Sequence, residues 1–431
     1  MMRKYACVWP LMLFGAQMGL GGILFDTARN VILITDYPAA YPCALAQVAR
    51  CDRAFGWDKV RYDKTSDTYT IDCHLAIGAN DGSETYFQVG SAECPRATLV
   101  MNGNIYVQPY AGEVQWWQTP AKVNRLTLGC LGNKDVCAVL KFAPSNSLVA
   151  GSMADGKGGR GGQLFVYNSQ ITALDPDKGF GINDGGRDNS LRQVGGDGLV
   201  LMNARIAHAR GHLCYGAGSG LQKIFSVSNT TFSDYGALLP QSGKYVNCVF
   251  EGAKAAAIRD WGGLNIELTD CVFKNNVCNW ELTYSDDGLT LIDCEWHPPR
   301  KRDSYRISTD KTGKKQYPKL SVRRHIVAEV LDGSGKPVQD AVVSFRAEQD
   351  GCDLIQSRTF KTDASGKTPG QGQANALLLT ESITTATATP DQPGVKRFTY
   401  SLAAEKAGKR AMLTNVNVDC SWKTITIKLA D

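Results

Sequence analysis

The sequence predicts an all-β protein whose central part is a solenoid of stacked coils, a parallel β-helix, followed by a β-sandwich. Three observations support this fold class: a repeat of about 23 residues centred on Asn or Asp, alternating apolar residues before each repeat position, and a change of pattern in the last hundred or so residues. The chain has 431 residues, 43% of them hydrophobic, and 44 glycines. This composition is typical of many short strands joined by tight turns.

The first element is an apolar run from Tyr5 to Leu24 that follows the basic residues Arg3 and Lys4. A basic start before an apolar run is typical of a secretory signal. Residues 1–24 are therefore predicted to be a signal peptide or an N-terminal apolar segment, and the protein is predicted to be secreted or at the cell surface.

Export would permit disulfide bonds between cysteines. The alternative is that the cysteines are small apolar core residues. The candidate pairs are Cys73/Cys94, Cys130/Cys137 and Cys352/Cys420.

Residues 25–99 are predicted to form the N-terminal cap and the first coils. The open end of a β-helix exposes core and backbone edges, so it needs a cover. Residues 42–55, which begin with Pro42, have the pattern of an amphipathic helix that would cap this end. Strands are predicted at 68–77 and 97–107.

Residues 100–299 contain the repeat. Its clearest members are Cys248, Cys271 and Cys294, which are 23 residues apart. Each cysteine follows an Asn or Asp and precedes an aromatic residue by two positions. Upstream units carry the same pattern with Ile or Phe. The Asn/Asp positions, separated by 35, 26, 18, 23 and 23 residues, are Asn168, Asn203, Asn229, Asn247, Asp270 and Asp293.

Alternation of apolar residues before each of these positions predicts a strand. Asn or Asp then turns the chain, because these residues tolerate left-handed backbone. One unit cannot bury its own apolar face, so the units must stack, like residue over like. The cysteine column is therefore predicted to be packed inside the coils rather than paired in disulfides, and the uneven gaps indicate inserted loops.

This repeat resembles the pectin-lyase-like superfamily of right-handed parallel β-helices. The resemblance implies a right-handed solenoid. It says less about activity, because one fold can carry many functions.

Residues 300–322 are predicted to be a basic linker. Between residues 298 and 324 ten basic residues stand against two acidic ones, a local excess of eight positive charges in a chain whose net charge is +5. Two interpretations remain open: a solvated linker, or a contact for acidic glycans or another polyanion.

Residues 323–431 combine a strand at 327–330, a Gly-rich turn, Pro337-Val338, a second strand and the turn Thr362-Asp363-Ala-Ser-Gly366. This order resembles the carboxypeptidase-regulatory-like, transthyretin-like (Ig-like) β-sandwich. The resemblance implies a module that stabilises, spaces or attaches its neighbour.

No nucleophile elbow, P-loop, zinc motif or dinucleotide motif occurs in its required context. The sequence therefore predicts no nucleotide cofactor and gives no reason to expect nucleic acid as a partner. Asp184 and Asp188 in a Gly-rich segment could bind Ca²⁺ or act as the carboxylate pair of a glycoside hydrolase. The segment lacks an EF-hand pattern, so a plain surface loop is the alternative.

The candidate site is the outer face of the coils from about 203 to 284, where side chains of successive coils line up. A cation there would stabilise the enolate formed when a uronate loses its C5 proton, and a nearby side chain would act as base. Trp261 or Tyr284 would stack on a sugar. The predicted catalytic residues are His208, Arg210, His212, Arg259 and Asp260. The predicted substrate-binding residues are Tyr215, Asp234, Tyr235, Lys254, Trp261 and Tyr284.

Two functions follow as hypotheses. The first is an extracellular polysaccharide-acting enzyme, a lyase on an acidic glycan. The second is a non-catalytic surface, adhesion or self-assembling β-helix protein, for which Glu251, Lys274 and His297 would form only an exposed charge ladder.

Overall fold

The protein is nearly all β, with 53% of residues in strands and 3% in helix. The computed structural model describes residues 22–78, 84–91, 94–107, 124–149, 162–184, 187–192, 198–214, 224–240, 242–259, 265–283, 288–309, 313, 315–352, 358–387 and 392–430. Residues 1–21 of the predicted signal peptide lie outside these ranges, whereas Gly22 to Leu24 belong to the first strand.

The N-terminal elements, in chain order, are β1 (Gly22–Asp26), β2 (Val31–Thr35), β3 (Cys43–Ala44), α1 (Leu45–Phe55), β4 (Val60–Asp63), β5 (Thr68–Ile71) and β6 (His74–Ile77).

The elements of the repeat are β7 (Thr85–Val89), β8 (Thr98–Met101), β9 (Ile105–Val107), β10 (Asn124–Leu128), β11 (Val139–Phe142), β12 (Leu148–Val149), β13 (Gly162–Tyr167), β14 (Gln170–Ala173), β15 (Ile182–Asp184), β16 (Arg187–Arg192), β17 (Gly198–Met202), β18 (Arg205–Ala207), β19 (His212–Cys214), β20 (Ile224–Ser228), β21 (Thr231–Ser233), β22 (Ala237–Leu239), β23 (Gly243–Val246), β24 (Val249–Glu251), β25 (Ala256–Arg259), β26 (Ile266–Thr269), β27 (Val272–Lys274), β28 (Trp280–Leu282), β29 (Leu289–Ile292), β30 (Glu295–Trp296) and β31 (Ser304–Tyr305).

The C-terminal elements are β32 (Ser308–Thr309), β33 (Lys315–Gln316), β34 (Lys319–Leu331), β35 (Val342–Ala347), β36 (Arg358–Lys361), β37 (Leu377–Thr385), β38 (Gly394–Arg397), β39 (Thr399–Lys406), β40 (Lys409–Asn417) and β41 (Lys423–Lys428).

Three long sheets contain most of these strands. Sheet A has the order β1-β2-β6-β9-β12-β16-β19-β22-β25-β28-β31, sheet B the order β3-β7-β10-β13-β17-β20-β23-β26-β29-β34-β37-β38, and sheet C the order β30-β27-β24-β21-β18-β14-β11-β8-β5-β4. From β7 onward the chain passes from B to C to A and back to B, with β15 as a side hairpin on β16. Neighbouring coils pair in parallel, for example β26 with β29. This arrangement is compatible with a parallel β-helix.

The Asn/Asp positions make the turn between sheets B and C. All six predicted turn residues have left-handed backbone, with φ from 49° at Asn229 to 54° at Asn203 and Asn247. The side chains also join neighbouring coils: the Asn203 amide donates to the Asn168 oxygen over 3.1 Å. The prediction of left-handed turns at this column is therefore confirmed.

The interior of the coils is a stack of like residues. Cys248, Cys271 and Cys294 are fully buried, and the backbone amide of Cys248 points to the Cys271 sulfur at 3.4 Å. Neighbouring thiols and burial raise the pKa of Cys271. Phe250 stacks on Phe273 with ring centroids 4.8 Å apart. The predicted core column is therefore confirmed.

The six cysteines of the predicted pairs are free thiols in the structure. The predicted pairs are therefore not disulfides here. Cys73, for example, is buried in the main core, where it serves as a small apolar residue.

The predicted N-terminal helix is present as α1, three residues shorter at its start than expected. Pro42 precedes the short strand β3, and the Ala44 amide donates to the Gln47 side chain over 2.7 Å at the start of the helix. Leu45 and Val48 are buried in the main core, so the helix covers apolar residues as predicted. Within the part of the chain that the structure describes, no helix has the length and apolarity needed to cross a membrane.

Strand β34 joins two hydrophobic cores. Its first half pairs in parallel with β29 and buries Leu320 and Val322 in the main core. Its second half pairs in parallel with β41 and contributes Ile326 and Val330 to a second core, which also includes residues of β35, β37, β39 and β41. The end of the predicted linker 300–322 therefore lies in a strand, because these apolar residues complete the last coil.

The point where β34 leaves β29 holds a buried polar cluster. Asp293 accepts bonds from the backbone and Nδ1 of His325, whose ring stacks on Trp422. Arg324 donates to Glu381 over 2.9 Å and to the Cys294 carbonyl over 2.6 Å. Burial alone would raise the pKa of Asp293, but the bonds from His325 lower it.

Candidate functional site

The structure brings two of the predicted catalytic residues together on sheet A. His212 begins β19 and Arg259 ends β25, with β22 between these strands. Arg259 pairs in register with Glu281 of β28. Glu281 was not among the predicted residues. We call His212, Arg259 and Glu281 the sheet A cluster.

The sheet A cluster is held by short contacts. Nε and NH2 of Arg259 each lie 2.9 Å from Oε2 of Glu281, and NH1 lies 3.2 Å from Nε2 of His212. The Arg259 and Glu281 side chains are 28% and 24% exposed, so solvent reaches both. The cation is therefore paired but accessible.

The contact between Arg259 and His212 sets one hydrogen-bond role on the imidazole. A guanidinium can only donate, so in this contact Nε2 of His212 is the acceptor. An imidazole nitrogen with a lone pair can act as a base, and a neighbouring cation can stabilise an anion that forms beside it.

Small residues make room for the cluster. A Cβ added to Gly236 would lie 2.9 Å from Nδ1 of His212 and 2.7 Å from the Gly211 carbonyl oxygen, so only glycine fits against the ring. Nearby Ala237 and Ala256 are fully buried. The imidazole therefore lies close to the backbone and has little freedom to turn away.

Two other predicted residues occupy a second turn, after sheet C. His208 has φ 57° and Asp234 has φ 52°, the left-handed region in which Asn, Asp and His are enriched. Nδ1 of His208 lies 3.6 Å from Oδ2 of Asp234. Their backbone conformation gives both a structural role, independent of any ligand.

Tyr235, predicted to bind substrate, is fully buried, and its hydroxyl donates to the Ala257 carbonyl over 3.2 Å. Burial raises the pKa of Tyr235 well above its usual value. This placement does not fit a ligand contact, because an aromatic ring at this position faces the core. Arg210 and Lys254 have exposed side chains.

Four predicted site residues, Tyr215, Asp260, Trp261 and Tyr284, lie outside the described residues. The backbones of Asp184 and Asp188 belong to the hairpin of β15 and β16. Among the described residues no group of three or more His, Cys, Asp or Glu side chains is placed to hold a metal ion.

The exposed ladder on sheet C forms in part. Nζ of Lys274 lies 3.3 Å from Oε2 of Glu251, on neighbouring strands paired in register. Such a pair contributes a few tenths of a kcal/mol, as expected of a surface ion pair. His297 follows β30, in the next coil, and is exposed.

Comparison with protein-family models, with curated proteins and with solved structures gives no match to this chain.

Proposed function

We propose that the protein is a secreted or cell-surface right-handed parallel β-helix with a C-terminal transthyretin-like sandwich, and that it cleaves an acidic polysaccharide by elimination. The fold is supported by the repeated passage through sheets B, C and A and by the second core. The reaction is supported by one observation above all: Nε2 of His212 lies 3.2 Å from the accessible Arg259 on an outer sheet face.

In the proposed reaction Arg259 binds the carboxylate of a uronate and stabilises the enolate that forms at C5. As the carboxylate draws the guanidinium away from His212, the lone pair of Nε2 becomes free and takes the C5 proton. The electron pair becomes the C4=C5 double bond, the C4–O bond breaks, and the departing oxygen takes a proton from water. Glu281 holds the guanidinium in place through Nε and NH2.

The second candidate, a non-catalytic surface or self-assembling protein, is favoured by a different observation. The charge of Arg259 is already offset by Glu281 at 2.9 Å. In this case the sheet A cluster would only stabilise the outer face of the coils.

The test follows the absorbance of the unsaturated product while the full chain is incubated with polyuronates. We expect product from the wild-type chain, and at least about a hundredfold loss in His212→Ala, as for removal of a general base. Glu281→Gln should tighten polyuronate binding, because it frees the charge of Arg259. Glu267→Gln, which frees Lys244 on sheet B (2.8 Å), is the matched control. Absence of product on every polymer would favour the second candidate.

A further inference from the structure

A half-buried arginine lies on the outer face of sheet B, away from the sheet A cluster. Arg125 on β10 lies between two aromatic rings, with its guanidinium carbon 4.8 Å from the Tyr86 ring centre and 4.0 Å from that of Phe165. Tyr86 is on β7 and Phe165 on β13, the strands on either side of β10. Stacking of a guanidinium between two rings fixes its plane and strips part of its hydration.

A buried amide sets the direction of this guanidinium. Nε of Arg125 donates to Oε1 of Gln163 over 2.7 Å, and Gln163 is 3% exposed. The Gln163 side chain packs against Gly198, its neighbour in sheet B, where an added Cβ would come within 3.2 Å of it. The position of Arg125 is therefore fixed by its neighbours on sheet B.

The charge of Arg125 has no carboxylate within ion-pair distance among the described residues. Its contacts there are the amide of Gln163 and the two rings. Within the ranges that the structure describes, no side chain takes up the donors of its two terminal nitrogens. Burial lowers the pKa of Arg125, but an arginine stays protonated at any ordinary pH.

Two other arginines, one on the coils and one at the junction, differ in this respect. Arg259 and Arg324 each bond a glutamate at 2.9 Å. The charge of Glu84 acts on Arg125, but no ion pair joins the two among the described residues. A half-buried cation without a directly bonded counter-charge costs free energy unless an anion pairs with it. The residue types around Arg125 thus suit a ligand group that brings two anionic oxygens.

We propose that Arg125, Gln163, Tyr86 and Phe165 form a binding site for a carboxylate or sulfate group carried by a saccharide. The two terminal nitrogens donate to two oxygens of the anion, the planar pairing that arginine makes with such groups. The charge of Arg125 also acts on the hydroxyls of Tyr86 and Tyr167. The choice of a saccharide rests on the proposed function, whereas the anion site rests on the geometry around Arg125.

The test measures binding of oligogalacturonate, of a sulfated glucan without carboxylates, and of neutral dextran to the full chain by calorimetry. We expect binding of at least one anionic polymer and no binding of dextran. The polymer that binds identifies the anion as carboxylate or sulfate.

Two variants distinguish a loss of anion binding from a loss of folding stability. Arg125→Gln removes the charge, and Gln163→Glu, nearly equal in shape, places a carboxylate against Arg125. Both should weaken binding at least about tenfold, the loss expected for one charge-assisted contact. Gln163→Glu should leave the melting temperature unchanged or raise it, since it places a carboxylate in direct contact with Arg125. Arg205→Gln, an exposed arginine on sheet C, is the matched control and should bind like wild type.

Anionic polymer bound equally by wild type, Arg125→Gln and Gln163→Glu would overturn the anion site and leave the proposed glycan function standing. Failure of the wild-type chain to bind either anionic polymer would overturn both. Loss of binding together with a lowered melting temperature in Gln163→Glu would also count against the site, because it would show a structural role for the amide.

Discussion

The interior of the coils and the junction with the second core bury their side chains by different means. Inside the coils Phe232, Phe250 and Phe273 form a continuous stack with centroid distances of 5.3 and 4.8 Å. At the junction Asp293, Arg324 and Glu381 are held by hydrogen bonds and ion pairs instead.

The comparison teaches where each kind of contact is needed. A coil meets another coil of the same shape, so apolar residues can stack and add stability unit by unit. At the junction β34 exchanges one neighbour, β29, for another, β41, and backbone groups between the two need partners. Arg324 and Asp293 supply them, through the Cys294 carbonyl and the His325 amide.

The largest expected effect lies in the stack. Phe273→Ala should lower the free energy of unfolding by about 3–5 kcal/mol, because the ring leaves a cavity between Phe250 and Trp280. The loss should not depend on pH. Denaturant unfolding measures it, with Val272→Ala on the outer face as the control. A loss below about 1 kcal/mol would show that the stack can close over a missing ring.

A smaller and pH-dependent effect is expected at the junction. Asp293→Asn should lower the free energy of unfolding by about 1–3 kcal/mol at neutral pH, since a buried charge-assisted bond to His325 is lost. The pKa of Asp293 is lowered in the fold, so its stabilisation is complete above the unfolded value, about 3.9, and disappears as pH falls through the folded value. The variant should therefore match wild type in strong acid.

Asp270→Asn should change the free energy of unfolding in the opposite direction. Burial and the neighbouring Asp293 raise the pKa of Asp270, so its ionisation opposes folding above that pKa, and its removal should slightly stabilise the chain at neutral pH. If the free energy of unfolding depended on pH in the same way in both variants, the charges of Asp293 and Asp270 would not account for the stability of the junction.

The smallest loss of stability is expected at the turns between coils. Asn203→Ala should cost about 1–2 kcal/mol, because alanine is strained at φ 54°. Asn203→Gly should cost less, since glycine adopts this conformation freely. Thermal melts of both variants measure the difference. Alanine tolerated as well as glycine would mean that the turn can rearrange.

The repeat could be predicted because it is local and periodic. Each Asn or Asp is preceded by alternating apolar residues, so the turn at Asn203 and the core position of Phe273 follow from spacing alone. The repeat of Asn or Asp after alternating apolar residues was not predicted upstream of Asn168. The contact of Arg125 with Tyr86 and Phe165 depends on the pairing register of β10 with β7 and β13, which only the structure gives.

The candidate site was predicted only in part. His212 and Arg259 were chosen as rare or charged residues in neighbouring coils, and they do meet. Glu281 was missed, although it lies 22 residues after Arg259, close to one repeat, which is the pattern that could have found it. His208 and Asp234 also have a structural reason for their polarity, since both have the left-handed backbone that favours Asn, Asp and His.

Strand β34 also determines how the molecule would carry a load. The last strand, β41, runs parallel to β34, from Ile326 opposite Lys423 to Leu331 opposite Lys428. A pull on the C-terminus acts on the far end of β41, whereas the coils hold the near end of β34 through β29. The two parallel strands are then loaded in shear, so their hydrogen bonds must break together rather than one after another. If the second core tethers this protein, the attachment resists tension along the strand direction.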